Sequence, residues 1–175
     1  MSDATAPHSP EFVSTVMAAM VAHADGNLKD VAHLAKVWAW ARTIGVAEGL
    51  DAATQETLEL TAIVHDIACP LCRRKYGSSA GHLQEQESDA LVREFLGPLG
   101  VSGAQLDRIA FVVSHHHTYE GVDGIDWRIL LEADFLVNAD EGHKGRSAVD
   151  AAAEGFFRTE TGSRLLRDMY SRVEG

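Results

Sequence analysis

The chain has 175 residues, of which 46% are hydrophobic and 23% charged, proportions typical of a single globular domain. Its formal net charge of -11 argues against binding of nucleic-acid polymers, which depends on a basic surface. No apolar run approaches the roughly 20 residues that cross a bilayer, and the N-terminus lacks the features of a signal peptide, so we expect a cytoplasmic protein without a membrane partner.

Apolar residues recur at helical spacing through most of the chain. We expect residues 1–10 to form a mobile N-terminal arm and residues 11–175 to form one domain. The predicted helices, in chain order, start at residue 11 and then cover residues 28–45, 54–68, 82–96, 104–116, 126–139 and 148–173. Pro70 is expected to stop the third helix, residues 75–81 to form a loop, and residues 159–162 to interrupt the last helix.

No segment alternates with period two, so these patterns predict an all-α domain without a sheet. The apolar face of the first helix can pack on its own domain or on a second subunit, which leaves a homo-oligomer open.

Titratable residues lie between apolar neighbours on three separate predicted helices. His33 lies on the second helix, His65 and Asp66 end the third, and Asp134 lies in LLEADFLVNAD. Inward-facing imidazole and carboxylate groups from several helices are how a bundle builds a metal centre. This mixture suits manganese, iron, cobalt, nickel or zinc better than calcium. Any one of these residues alone is better explained as a hydrogen-bonded core residue. The prediction of a metal site therefore depends on all four side chains lying close together in the folded chain.

The order His33, His65-Asp66, Asp134 resembles that of the HD-domain superfamily of metal-dependent phosphohydrolases. The segments HLAKVWAWARTIG, LELTAIVHDIA and LLEADFLVNADE are similar to the helices that carry its first, paired and last ligands, and FFRTETGSRLLRDMY is similar to its closing helix. The resemblance extends from about residue 28 onward, with the core motifs in residues 28–140. It implies a single HD-domain helical bundle in which His33, His65, Asp66 and Asp134 bind the metal.

A second metal ion stays open at this point. In bimetallic branches of the superfamily, additional histidines precede the last Asp, and the candidates here are His82, His115 and His116. The run SHHHTYEG resembles an element of cyclic-dinucleotide-cleaving members, but the Gly-Tyr-Pro that should follow is absent, which argues against that substrate. Adjacent helical side chains point about 100° apart, so we expect His117 to point away. The alternative is a helix end where imidazoles meet free carbonyls.

This ligand set predicts hydrolysis of a phosphate ester or anhydride of a nucleotide or similar small molecule. A divalent ion lowers the pKa of its bound water from about 15.7 to about 7, which makes hydroxide available for attack. We expect one such ion, or two, with His65 and Asp66 as the catalytic pair. Asp66 would orient the attacking water or bridge two ions.

An acidic protein needs local bases to bind an anionic substrate, since these and a metal ion can reverse the sign of one pocket. The densest basic cluster, RRK, follows the His-Asp pair closely, and one lysine lies three residues after His33. The candidate phosphate-binding residues are therefore Lys36, Arg73, Arg74 and Lys75. The alternative for the cluster is a solvated basic turn paired with Glu85 or Glu87.

Other interpretations stay open. Cys69 and Cys72 form one CxxC motif, which we interpret as ordinary thiols, with a reversible disulfide or additional metal binding as alternatives. A di-iron oxygenase of the same superfamily and a non-catalytic sensor of metal or nucleotide are the alternative functions.

Overall fold

The computed structural model describes residues 10–173. Of the arm predicted for residues 1–10, only Pro10 is described, and it begins the first helix; the remainder lies outside the described residues. Within residues 10–173 there are nine α-helices and no strand, which confirms the predicted all-α fold. They are α1 (Pro10–His23), α2 (Leu28–Ala47), α3 (Ala52–Val64), α4 (Cys69–Tyr76), α5 (Gly81–Leu96), α6 (Gly103–Val113), α7 (Ile125–Glu141), α8 (Arg146–Gly155) and α9 (Glu160–Met169). None of these helices has the length and apolar character that spanning a membrane requires.

Helix α3 lies at the centre of the bundle. It packs against α1, α2, α6 and α7, and every residue from Leu58 to Val64 is buried. A helix that is buried on all sides needs apolar residues around its whole circumference, and α3 ends in the sequence TAIV. Helix α2 packs on both α3 and α7. The end of α3 therefore lies between the two other helices that carry candidate ligands.

Pro70 begins a helix that the sequence analysis missed. Helix α3 ends at Val64, the backbone turns through residues 65–68, and Pro70 lies in the first turn of α4. The missing N–H of proline costs nothing there, because the first N–H groups of a helix have no partner within it. His65 and Asp66 consequently lie in the turn between α3 and α4, and the RRK cluster is helical.

The predicted interruption near residues 159–162 is instead the start of α9. The break lies at residues 156–159, and Thr159 caps α9 by accepting a hydrogen bond from the Gly162 N–H. The buried carboxylate of Glu132 accepts hydrogen bonds from the backbone N–H groups of Arg158 and Thr159 and holds this connection against α7.

Candidate metal centre

Helix packing brings four of the predicted ligands together in what we call the first cluster: His33, His65, Asp66 and Asp134. The Nε2 atom of His33 lies 3.2 Å from His65 Nε2 and 3.2 Å from Asp134 Oδ1. It also lies 3.5 Å from Asp66 Oδ2. The Nε2 atom of His65 lies 3.6 Å from Asp134 Oδ1 and 3.7 Å from Asp66 Oδ2. These groups come from α2, the α3–α4 turn and α7.

These separations fit a divalent cation. Ligand atoms about 2.0–2.1 Å from a tetrahedral ion are about 3.3 Å apart, close to the spacings across the first cluster. His65 is fully buried, and His33 and Asp134 are 8% and 5% exposed. Two imidazoles and two carboxylates in such a place need a positive charge between them. The donor set therefore suits the metal that the sequence predicts.

Hydrogen bonds behind the histidines direct their lone pairs into the first cluster. His33 Nδ1 donates to Oε2 of Glu141 over 2.9 Å, and His65 Nδ1 donates to the carbonyl of Ala62 over 2.8 Å. With the proton held on Nδ1, the Nε2 atom of each neutral ring is free to bind a cation. Asn138 Nδ2 donates to Asp134 Oδ1 over 2.8 Å and restrains that carboxylate in the same way.

Electrostatic interactions within the first cluster favour ionised carboxylates and a positively charged His33. Burial opposes ionisation of Asp66 and Asp134, but the neighbouring imidazoles outweigh it and hold the pKa of both carboxyls well below the usual range. Burial likewise disfavours the charged form of His33, yet its hydrogen bond with Asp134 and the charge of Asp66 raise its pKa from 6.5 to about 9. In the metal-free protein a proton on His33 supplies the missing positive charge.

Asp66 also belongs to a second cluster, formed by Asp66, His116 and His117, whose ligand atoms lie within 4.8 Å of one another. Its Oδ1 atom lies 3.5 Å from His116 Nε2, while its Oδ2 atom faces the first cluster. His116 Nδ1 donates to the carbonyl of Val113 over 2.7 Å. The buried Nε2 atoms of His116 and His117 have no hydrogen-bond partner, and such atoms call for an explanation. A second cation bridged by Asp66 would provide one.

The roles expected for His115 and His117 are reversed. His117 joins the second cluster, whereas His115 donates from Nδ1 to the carbonyl of Phe111 over 2.7 Å and packs against the rings of Phe111 and Trp127. The backbone leaves the helix at Ser114, so the 100° rotation between successive helical residues does not apply.

Other contacts hold His117 in place. Its backbone N–H donates to Glu85 Oε1 over 3.1 Å. Burial and the charge of His116 lower the pKa of its imidazole to about 4, so the ring is neutral at pH 7.

His82 is exposed on the first turn of α5 and belongs to neither cluster of the described residues. Its neighbour Gly81 packs directly on the His117 ring, since a Cβ atom at Gly81 would lie 2.6 Å from His117 Cγ.

A cavity of about 840 Å³ opens onto both clusters, which is within the usual range for small-molecule sites. Its lining includes one ligand or more from each cluster, three basic residues and three aromatic residues. The basic residues are Lys29, Arg73 and Lys144, and the aromatic residues are Tyr119, Phe135 and Phe156. Cys69 also lines it; Cys69 and Cys72 are buried free thiols, and burial raises the pKa of both.

Of the four predicted phosphate-binding residues, the structure brings only Arg73 to this cavity, and Arg73 is paired with Asp30. The remaining three do not line it: Lys36 Nζ lies 3.2 Å from Oε1 of the lining residue Glu141, Lys75 Nζ lies 2.7 Å from Glu87 Oε1, and Arg74 is exposed. Because the RRK cluster is helical, its side chains point in different directions.

Several residues of the site were missed by the sequence analysis, above all Glu141, Asn138 and the two cavity lysines. Asn138 and Glu141 follow Asp134 by four and seven residues, so all three share one face of α7. That spacing was available in the sequence. Lys29 precedes His33 by four residues on α2, so its spacing was likewise available in the sequence. Lys144 lies in the segment after α7, and only the folded structure places it at the cavity.

A structural comparison finds the crystal structure of a predicted HD superfamily hydrolase from an uncultured Thermotogales bacterium. The two structures align with a TM-score of 0.63 over 94% of this chain and 86% of that chain, at 21% sequence identity. Neither protein-family models nor curated proteins give a match. The likeness establishes a shared fold, and the predicted all-α helical bundle is confirmed at that level.

Proposed function

We propose that this protein is a metal-dependent phosphohydrolase that cleaves a phosphate ester or anhydride of a nucleotide or a similar small molecule. The observation that carries the proposal is the first cluster, in which donor atoms of His33, His65, Asp66 and Asp134 converge beside a cavity of substrate size. The fold shared with a predicted HD superfamily hydrolase supports the same reaction class. The proposal depends on the site, because a fold alone does not specify an activity.

The reaction is transfer of a phosphoryl group to water. A divalent cation bound by the first cluster would supply Lewis acidity, polarising the phosphoryl group and lowering the pKa of coordinated water. Asp66, which is ionised, would accept a hydrogen bond from the attacking water and orient it. The water oxygen forms a bond to phosphorus, the bond from phosphorus to the leaving oxygen breaks, and a proton from the water neutralises the leaving group.

Two lysines give the cavity positive charge for an anionic substrate. Lys29 and Lys144 line it from the start of α2 and the segment after α7, and neither forms an ion pair within the described part of the chain. Arg73, by contrast, is engaged by Asp30. We therefore assign the initial binding of phosphate to the two lysines.

The second cluster favours one other candidate function, that of a di-iron oxygenase. A carboxylate that faces two groups of ligands is suited to bridging two ions, as the di-iron oxygenase alternative requires. Elemental analysis of anaerobically purified protein separates the two functions. One metal ion per chain excludes the oxygenase, whereas a mixed-valent iron pair detected by spectroscopy favours it.

The experiment that tests the phosphohydrolase is phosphate release from nucleotides and sugar phosphates in the presence of manganese, cobalt, iron, nickel or zinc. Asp66→Asn and Asp134→Asn should each lower activity by more than about a hundredfold, beyond what changes behind the ligands typically cause. Asp168→Asn, an exposed change on α9, is the matched control and should leave activity unchanged. A protein that binds metal but releases no phosphate from any substrate would contradict the proposal.

A further inference from the structure

One side of the cavity is an aromatic wall made of Tyr119, Phe135 and Phe156. The Tyr119 and Phe156 ring centroids are 4.6 Å apart, and those of Phe135 and Phe156 are 5.4 Å apart. The three rings come from the segment after α6, from α7 and from the segment after α8. Parts of the chain that are remote in sequence thus build one continuous apolar surface inside a polar cavity.

The aromatic wall lies next to the first cluster. Phe135 directly follows Asp134 in α7. Tyr119, Phe135 and Asp134 line the same cavity. A group that leaves a phosphorus atom held at the first cluster would therefore meet these rings.

Packing within the protein does not account for the exposed position of the Tyr119 ring in the cavity. Its side chain remains 45% exposed, and within residues 10–173 its hydroxyl has no hydrogen bond. An aromatic ring exposed within a ligand-sized cavity is a surface for a second ring, because aromatic pairs stack at centroid separations of about 4.5–7 Å. Phe156 packs behind Tyr119 and keeps that ring in place.

The charges around the cavity indicate how much phosphate the substrate carries. One divalent ion balances the carboxylates of Asp66 and Asp134, and the other carboxylates of the lining are paired with bases. Lys29 and Lys144 then leave two positive charges, which match the roughly -1.5 to -2 charge of one phosphate monoester at pH 7. With a single divalent ion at the site, a diphosphate or triphosphate would exceed this charge.

We infer that the substrate is the monophosphate of a nucleoside or of another alcohol with a planar ring, and that Tyr119 and Phe156 bind this ring by stacking. The inference rests on the proposed phosphohydrolase function and specifies its leaving group. Stacking tolerates different bases because every base has a π-face. We therefore expect a strong requirement for a ring and little preference among purines and pyrimidines.

Two substrates that differ only in the ring test this inference. Adenosine 5′-monophosphate and ribose 5-phosphate share the sugar and the phosphate, and the wild-type kcat/KM should be at least about tenfold higher for the former. Tyr119→Leu should lower kcat/KM for adenosine 5′-monophosphate about tenfold, equivalent to about 1.4 kcal/mol, and leave that for ribose 5-phosphate within about twofold. Tyr119→Phe retains the ring and should behave like the wild type.

The control variant is Phe111→Leu, which removes a ring that is 42% exposed but does not line the cavity. It should not change the ratio of the two kcat/KM values. Equal losses for both substrates in Tyr119→Leu, or no wild-type preference for the substrate with a ring, would overturn the inference. Adenosine 5′-triphosphate hydrolysed faster than the monophosphate would overturn the assignment of a monoester.

Binding of adenosine, which carries no phosphate, separates this inference from the proposed function. Saturation-transfer NMR with the metal-loaded protein should detect contact with the adenine ring, and Tyr119→Leu should abolish it. Tyr119-dependent adenosine binding without phosphate release from any substrate would refute the phosphohydrolase and support the ring site. Phosphate release without such binding would support the phosphohydrolase and refute the ring site.

Discussion

Glu141 orients His33, and its substitution should weaken metal binding although Glu141 is not itself a proposed ligand. Its Oε2 atom accepts the hydrogen bond from His33 Nδ1 at 2.9 Å, and its Oε1 atom accepts one from Lys36 Nζ at 3.2 Å. The carboxylate keeps the His33 proton on Nδ1 and adds negative charge behind the ring. Both effects favour a cation on Nε2.

Hydrogen bonds to charged groups contribute about 1.5–3 kcal/mol, and changes behind metal ligands typically lower affinity about 10–100-fold. Glu141→Gln retains an acceptor and loses the charge, so we expect about a tenfold increase in the Kd for the metal. Glu141→Ala leaves the Nδ1 donor of His33 without its acceptor, and we expect an increase closer to a hundredfold. In free energy this range is about 1.4–2.8 kcal/mol.

Competition with a chromophoric chelator measures the Kd, and phosphate release at saturating metal shows whether the reaction itself is preserved. Asp140→Asn is the matched control, because the Asp140 side chain is 66% exposed and lies 3.9 Å from Lys36 Nζ. It should bind metal as the wild type does. Wild-type affinity in Glu141→Ala would refute the assigned orientation of His33. Equal weakening in Asp140→Asn would indicate a general effect of charge instead.

Three further predictions concern the metal and the second cluster. Because the pKa of His33 is raised from 6.5 to about 9, the folded metal-free protein holds a proton that the unfolded chain releases. The contribution of His33 to stability should be complete below pH 6.5 and be lost as pH rises through about 9, which urea unfolding between these two pH values would measure. Metal at about 100 times its Kd should stabilise the protein by about 2.7 kcal/mol, which raises Tm by about 5–10 °C. A chelator should reverse this shift in Tm, and the His33→Ala variant should show no shift on addition of metal. Gly81→Ala places a Cβ atom 2.6 Å from His117 Cγ and should lower phosphate release by up to about a hundredfold. The control Gly97→Ala, with no atom within 4 Å of its Cβ atom, should retain activity. Equal rates of phosphate release in the two variants would contradict a role for His117.

The sequence alone determined most of the helices, though not α4 or the position of the break before α9, and the residues offered to the first metal ion. Apolar residues at 3.6-residue spacing encode the burial of each helix face locally. His33, the His65-Asp66 pair and Asp134 could be recognised because each lies among apolar neighbours, where an unpaired charge is costly. The all-α bundle follows from the same local patterns and is confirmed by the structure.

Tertiary structure decided which other residues join the site. His117 faces Asp66 because the backbone leaves α6 before the three histidines, and the turn reverses the expected roles of His115 and His117. Glu141 reaches His33 across 108 positions of the sequence. Lys144 and the aromatic wall likewise reach the cavity only when the helices pack. Periodicity specifies which face of a helix is buried, but the partners on that face depend on the packing of elements far apart in the chain.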